Sequence, residues 1–166
     1  MNIFYLLVGS NINPRENILQ CHQLIQQKTQ LICHSSVYKS QAAGPNGLLD
    51  QPAYYNVAYK VRSPLSVIEF KTSICRVIEE TLERVRTDDK CAARTIDVDI
   101  VLYNDEIYSD VGITLPAPDI LTASYVLFPL VELDGEYEHP ILKRTLAEIY
   151  RETKFEIPVK KLDDFL

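Results

Sequence analysis

The sequence predicts an α+β fold, a ferredoxin-like sandwich in which an antiparallel or mixed sheet carries packed helices on one face. Two observations lead there. Apolar strand patterns alternate with helical ones in two successive strand–helix units. The 166 residues also contain no linker, internal repeat or low-complexity run, so residues 1–166 read as a single domain. A chain of this size buries roughly 70% of the surface its unfolded form exposes, enough for a core without staples.

Asn2 to Val8 is a short apolar run that enters the turn Gly9-Ser10-Asn11, the mark of a buried strand. Pro14 to Gln27 places Ile18, Leu19, Leu24 and Ile25 at helical spacing, with Asn13 as N-cap and Pro14 in the first turn. Leu31 to Lys39 reads as one strand. Gln41 to Ala53, with Gly44-Pro45-Asn46-Gly47 and Pro52, reads as a loop longer than most connections, which hints at a functional role. Tyr54 to Val61 alternates as a third strand. Pro64 to about Arg84 is a long helix with Val67, Ile68, Ile74, Val77, Ile78 and Leu82 on its apolar stripe. Arg84 to Ala93 reads as a mobile charged loop, Thr95 to Tyr103 as a strong strand, and Asn104-Asp105 as a turn. Glu106 to Tyr108 follows as a short strand and Leu115 to Pro118 as extended chain. Two late helices cover Thr122–Leu133 and Thr145–Glu152.

Composition narrows the function classes. Apolar residues make up 46% and charged residues 24%, an ordinary globular balance that excludes intrinsic disorder. The 17 Lys and Arg against 23 Asp and Glu give a net charge of -6, which disfavours general nucleic-acid binding. No apolar run reaches the ~18–20 residues of a membrane span, and Met1 to Ser10 lacks a signal peptide's basic start, so a cytoplasmic location without membrane partners is expected. The four cysteines (Cys21, Cys33, Cys75, Cys91) form no C-x-x-C pair and read as reduced, inert thiols. His22, His34 and His139 show no metal-ligand spacing and read as structural or solvated.

The chemistry concentrates in Arg94-Thr95-Ile96-Asp97-Val98-Asp99-Ile100. On a strand Asp97 and Asp99 share a face, about 7 Å apart along the backbone, with Ile96, Val98 and Ile100 on the other. Two such carboxylates repel unless a cation lies between them, and Mg²⁺ is held by one or two carboxylates plus substrate phosphates. For a D-x-D in isolation, a plain solvated strand face is the commoner explanation. Arg84, Arg86, Lys90 and Arg94 lie just upstream, cations suited to the charge that spreads over phosphoryl oxygens in transfer. A solvated charged loop remains the alternative for them. Gly9-Ser10-Asn11 has neither the glycine spacing nor the lysine of a P-loop, and strand–helix packing accounts for it as well. Tyr54 and Asn56 share a strand face: the amide offers donor and acceptor together, the phenol an aromatic wall.

In order along the chain, these features resemble the 6-hydroxymethyl-7,8-dihydropterin pyrophosphokinase family. The matching segments are Val8-Gly9-Ser10-Asn11, Gly44-Pro45, Asp50-Gln51-Pro52-Ala53-Tyr54-Tyr55-Asn56, Ile78-Glu79 and Arg84-Val85-Arg86. Arg94 to Ile100 and Leu115-Pro116 through Val126-Leu127-Phe128-Pro129-Leu130 complete the set. The resemblance implies flexible loops closing over two substrates, with pyrophosphate passing from ATP to the pterin hydroxymethyl group and AMP released. It implies two Mg²⁺ at Asp97 and Asp99, and a pterin site of Gly9, Tyr54, Asn56 and Tyr125. It further implies ATP contacts from Glu79, Arg86, Lys90 and Arg94, with Arg84, Arg86 and Arg94 acting on the phosphates, in a monomeric enzyme of folate biosynthesis.

Departures from the family pattern cluster in the loops that contact ATP and close the site. The usual R-W-G-P-R is Lys90-Cys91-Ala92-Ala93-Arg94, so the tryptophan lid is Cys91. The usual P-H-P is Pro116-Ala117-Pro118, Ala123 stands where an arginine is usual, and Leu82-Glu83-Arg84 lacks a glycine. Losing one transition-state contact commonly costs ~10²–10³ in rate. Two expectations follow: an active pyrophosphokinase with Lys90 in place of the usual arginine, or a weakened relative that binds pterin or nucleotide without turnover.

Overall fold

The computed structural model describes residues 1–44, 47–89 and 91–166. Lys90 and Pro45, both named above, lie outside them, as does Asn46. The sheet is antiparallel at every pairing, in the order β10 (Val159–Leu162), β3 (Val37–Ser40), β6 (Tyr54–Ser63), β1 (Asn2–Ser10) and β7 (Asp97–Tyr103). A further strand, β2 (Gln30–His34), also pairs with β6.

β1 lies between β6 and β7, and its apolar run is continuous because both of its faces are covered. Phe4, Leu6 and Val8 enter a core with Val57, Tyr59 and Val61 of β6 and Ile96, Val98 and Ile100 around β7. Helix α1 (Pro14–Lys28) covers this core with Ile18, Cys21 and Ile25. The long helical segment covers it too, through Val67, Phe70, Ile74 and Ile78. On the opposite face Tyr5, Ala58, Val101 and Leu102 pack under α4 (Ser124–Asp134) and α5 (Leu146–Glu152). The α+β sandwich is therefore as expected, but its helices cover both faces. β7 carries apolar residues on both of its sides, which calls for a second cover.

Several boundaries differ from expectation for identifiable reasons. The strand expected over 31–39 is broken after His34. Ser35 exchanges its backbone N–H and its hydroxyl with the backbone of Ala58, so β2 and β3 meet β6 as separate strands. Asn13 precedes α1 with φ 42° and makes no side-chain cap. The long helix begins only at Val67, where Ser66 and Glu69 form a reciprocal capping box. It runs as α2 (Val67–Phe70), a π-helical turn (Lys71–Cys75) and α3 (Arg76–Thr81).

The 41–53 loop holds a two-residue ladder, β4 (Ala43–Gly44) with β5 (Gly47–Leu48). The strong strand starts at Asp97 instead of Thr95. The short strand after it is β8 (Tyr108–Asp110), in a hairpin with β9 (Ile113–Leu115) through Gly112 at φ 75°. A 3₁₀ turn (Pro118–Leu121) precedes α4, and Pro129 inside α4 supplies no N–H to the carbonyl of Tyr125. All four cysteines are free. Burial pushes the Cys75 thiol up to about 12 and raises that of Cys21 as well, so both are inert. Among the described residues no helix is long and apolar enough to cross a membrane.

Candidate active site

Sheet register assembles the site. Gly9 of β1 stands opposite Asn56 of β6 on one side and Asp97 of β7 on the other. Two residues along, Leu7 lies between Ala58 and Asp99. The amide of Asn56 and the carboxylate of Asp97 thus rise from one row of the sheet, two strand spacings or roughly 10 Å apart. Glycine lets the two side chains face each other undisturbed, because a Cβ at position 9 would lie 2.9 Å from Asn56 Oδ1 and the amide would have to move.

A cavity of about 490 Å³ opens over this row, within the size range of small-molecule sites. Gly9, Tyr54, Asn56 and Tyr125, the residues the resemblance implies for a pterin site, all line it. Asn56 is buried and donates a long 3.3 Å hydrogen bond to Ser40 Oγ. Burial raises the phenols of Tyr54 and Tyr125 above their ordinary value, so both rings are neutral walls. Cys91 also lines the cavity, and a Cβ built on Gly44 would lie 3.1 Å from its Sγ.

A second cavity of about 350 Å³ adjoins the first and shares Lys71, Arg94, Asp97 and Asp99 with it. Glu79, Arg84 and Arg86 lie here. Arg84 bridges Glu79 and Asp97, while Arg86 pairs with the other oxygen of Glu79. Arg94 Nη1 donates to Asp97 Oδ2 at 2.5 Å. Asp97 thus carries a guanidinium on each oxygen. Burial alone raises its carboxyl, but Arg84 and Arg94 outweigh it and hold the group below the usual carboxylate range. Glu79 goes the other way: it is buried, and desolvation raises it against the opposing Val98 N–H and Arg84. Arg84 serves both carboxylates, and only Asp97 has a second cation as deeply placed.

The sequence singles out no separate role for Asn11, and in the structure it ties the two long loops together. Its Oδ1 accepts the Arg94 N–H at 2.8 Å and its Nδ2 donates to Pro52 O at 3.2 Å. Gln51 closes the circuit from the other loop by donating to Cys91 O at 2.8 Å. Lys71 was missed outright. Its Nζ lies 2.9 Å from Asp99 Oδ1 and 2.9 Å from Val98 O. No periodic signal marks it, since the stripe it interrupts is apolar on either side.

Asp97 and Asp99 are hard oxygen donors on one strand face, and no cluster of three or more His, Cys, Asp or Glu donors occurs among the described residues. That set does not make a closed protein cage for a metal. It does fit Mg²⁺, which takes one or two carboxylates and completes its shell from phosphate oxygens and water. Cationic nitrogens already occupy both Asp97 oxygens and one of Asp99, so the positions are ones where positive charge is favourable.

The chain is similar to the 2-amino-4-hydroxy-6-hydroxymethyldihydropteridine pyrophosphokinase of Haemophilus influenzae, at 35% identity over 139 residues, 82% of this chain and 84% of that one. It is also similar to the folic acid synthesis protein fol1 of Pneumocystis carinii, at 32% identity over 148 residues. That alignment spans 88% of this chain but only 19% of the much longer fol1 protein. Among solved structures, a Plasmodium falciparum HPPK-DHPS variant superposes with a TM-score of 0.71 at 14% identity, covering 91% of this chain and 45% of that one, a likeness of fold. The family described as 7,8-dihydro-6-hydroxymethylpterin-pyrophosphokinase matches residues 5–135, and with most of its length inside that match the chain belongs to this family.

Proposed function

We propose that this protein transfers pyrophosphate from ATP to 6-hydroxymethyl-7,8-dihydropterin, releasing AMP, in folate biosynthesis. The observation that carries the reading is the single sheet row in which Asn56 and Asp97 flank Gly9, setting a heterocycle reader beside a carboxylate and its arginines. In this reaction the hydroxymethyl oxygen bonds to the β-phosphorus as its proton passes to solvent, and the bond from that phosphorus to the oxygen bridging to the α-phosphorus breaks, so that AMP leaves with that oxygen.

Asn56 would read the pterin edge with its paired donor and acceptor, and Tyr54 and Tyr125 would enclose the ring. Asp97 and Asp99 would hold Mg²⁺, which when bound polarises phosphoryl oxygens and offsets their charge. Arg84 and Arg94 would turn from Asp97 toward the triphosphate, neutralising charge in the transition state. Glu79 keeps Arg84 and Arg86 beside the phosphates, and Lys90 would add a further cation. The same reading takes residues 1–166 as one pyrophosphokinase domain, a cytoplasmic monomer.

The test is product formation from Mg²⁺-ATP and the pterin, with AMP separated from ADP by chromatography. AMP appearing in step with a pterin diphosphate is the expected result, abolished in Asp97→Ala. A second reading, a pterin binder without turnover, is favoured by Cys91 and Ala117, small side chains on the cavity wall. No AMP from folded protein that still binds pterin would establish that reading and overturn the first.

A further inference from the structure

Lys71 stands apart from the motifs used so far, yet it lines both cavities. Its placement has a local cause. The helix passes from Phe70 into a single π turn, closed by the Arg76 N–H on the Lys71 carbonyl. A π turn adds one residue to the helical repeat, and such turns recur at functional sites. The buried Phe70 and Ile74 on either side keep the turn docked on the core. Lys71 is thereby directed at β7, with its side chain only 21% exposed.

The charges are unequally shared. Arg84, Arg86 and Arg94 are engaged with Glu79 and Asp97. Among the described residues Asp99 has one cationic partner, Lys71, and its side chain is 57% exposed. A divalent cation arriving at Asp99 competes with this ammonium. Once displaced, the ammonium keeps the Val98 carbonyl as its hydrogen-bond acceptor among the described residues, and its largely buried stem limits how far it can retreat into water. A polyanion in the adjoining cavity is the nearest replacement.

We propose that Lys71 is a transferable counter-ion: it neutralises Asp99 in the empty site, yields it to the metal, and then binds a phosphate oxygen of the nucleotide. The proposal rests on the pyrophosphokinase reading for the metal at Asp99 and for the identity of the polyanion. Metal and nucleotide binding are then coupled through one side chain, and the coupling is reciprocal.

Lys71→Met keeps the stem and removes the charge, and Lys71→Arg keeps the charge. Two binding measurements on the full chain decide the matter. The first is Mn²⁺ alone, followed by electron paramagnetic resonance. The second is the Mg²⁺ complex of an ATP analogue with a methylene between the α and β phosphorus atoms, followed by calorimetry. Matching circular dichroism shows that the variants are folded. The expected result has opposite signs in Lys71→Met. Mn²⁺ alone binds about fivefold tighter because its competitor is gone, whereas the nucleotide binds roughly tenfold to a hundredfold weaker through loss of a charged hydrogen bond. Lys71→Arg recovers most of the nucleotide affinity.

A lysine that only packs would weaken both or change neither, and either result overturns the proposal. Wild-type protein that binds Mn²⁺ but not the nucleotide overturns the pyrophosphokinase reading instead. Inorganic tripolyphosphate then replaces the nucleotide in the same comparison, and an unchanged affinity for it in Lys71→Met sinks the counter-ion role.

Discussion

Glu79 is the carboxylate on which the arginine cluster is built, and replacing it separates the contributions to that cluster. The side chain is 2% exposed and accepts from Val98 N–H at 3.0 Å, from Arg84 and from Arg86. In Glu79→Ala the β7 amide of Val98 loses its acceptor, a loss of about 1–3 kcal/mol. Stranding a buried charge costs about 3–5 kcal/mol, but Arg84 still has Asp97, so only part of that applies. Arg86 is 61% exposed, so its bridge contributes less than about 1 kcal/mol. The expected loss is about 3 kcal/mol for Glu79→Ala and about 1–2 kcal/mol for Glu79→Gln, whose amide oxygen can still accept from Val98. Urea denaturation gives both values directly. For a chain of this size the alanine variant should melt roughly 6–12 °C lower. A loss below about 0.5 kcal/mol in Glu79→Ala would refute the role of Glu79 as the cluster's buried anchor. Equal losses in the two variants would refute the weight given to the Val98 bond.

Gly9→Ala sets a methyl group 2.9 Å from Asn56 Oδ1; the amide must rotate, and pterin affinity should fall about tenfold with ATP affinity unchanged, as titration of each ligand would show. Asp134→Asn weakens two 2.6 Å contacts, from Tyr5 Oη and Lys60 Nζ, and should cost about 1–2 kcal/mol in urea denaturation. Removing the exposed Arg144–Glu152 pair should cost under about 0.5 kcal/mol in the same assay. The last expectation concerns acid. Burial, aided by the neighbouring His34, lowers His22 from 6.5, and burial lowers His139. Their contribution to stability is complete above pH 6.5 and is lost as pH falls from there toward the folded values. Denaturation midpoints at pH 8, 6.5 and 5.5 should therefore drop below 6.5, and His22→Phe should reduce the drop. Asp97, Glu132 and Asp134, held low in the fold, add a second loss only as pH falls through the carboxylate range.

Elements buried by their own pattern were legible in the sequence. β1, β6 and β7 carry runs or alternations that only a covered sheet explains, and Asp97 with Asp99, like Tyr54 with Asn56, follows from period two. Residues whose position depends on partners were not. β10 contains Lys160 and Lys161 and becomes a strand only because β3 offers it an open edge. The π turn differs from an α-helix by one hydrogen bond and has no periodic signature over five residues, so Lys71 read as part of a helix surface. The D-x-D spacing suggested a cation between the carboxylates. The structure adds a guanidinium on each Asp97 oxygen, from Arg94 three residues upstream and from Arg84 beyond α3, and the Arg84 contact is one that no local pattern contains.

The last strand also has a bearing on solubility. β10 occupies the outer edge of the sheet beside β3 and shows water two lysines, Lys160 and Lys161, both exposed. A row of free backbone amides and carbonyls at a sheet edge is a template for another molecule's strand, and lysines are a common deterrent. A chain ending before Val159 would leave β3 as that edge, with Lys39 its one exposed residue. Removing β10 would therefore open the β3 edge, and aggregation should rise in such a shortened chain even where the substrate cavities are left intact.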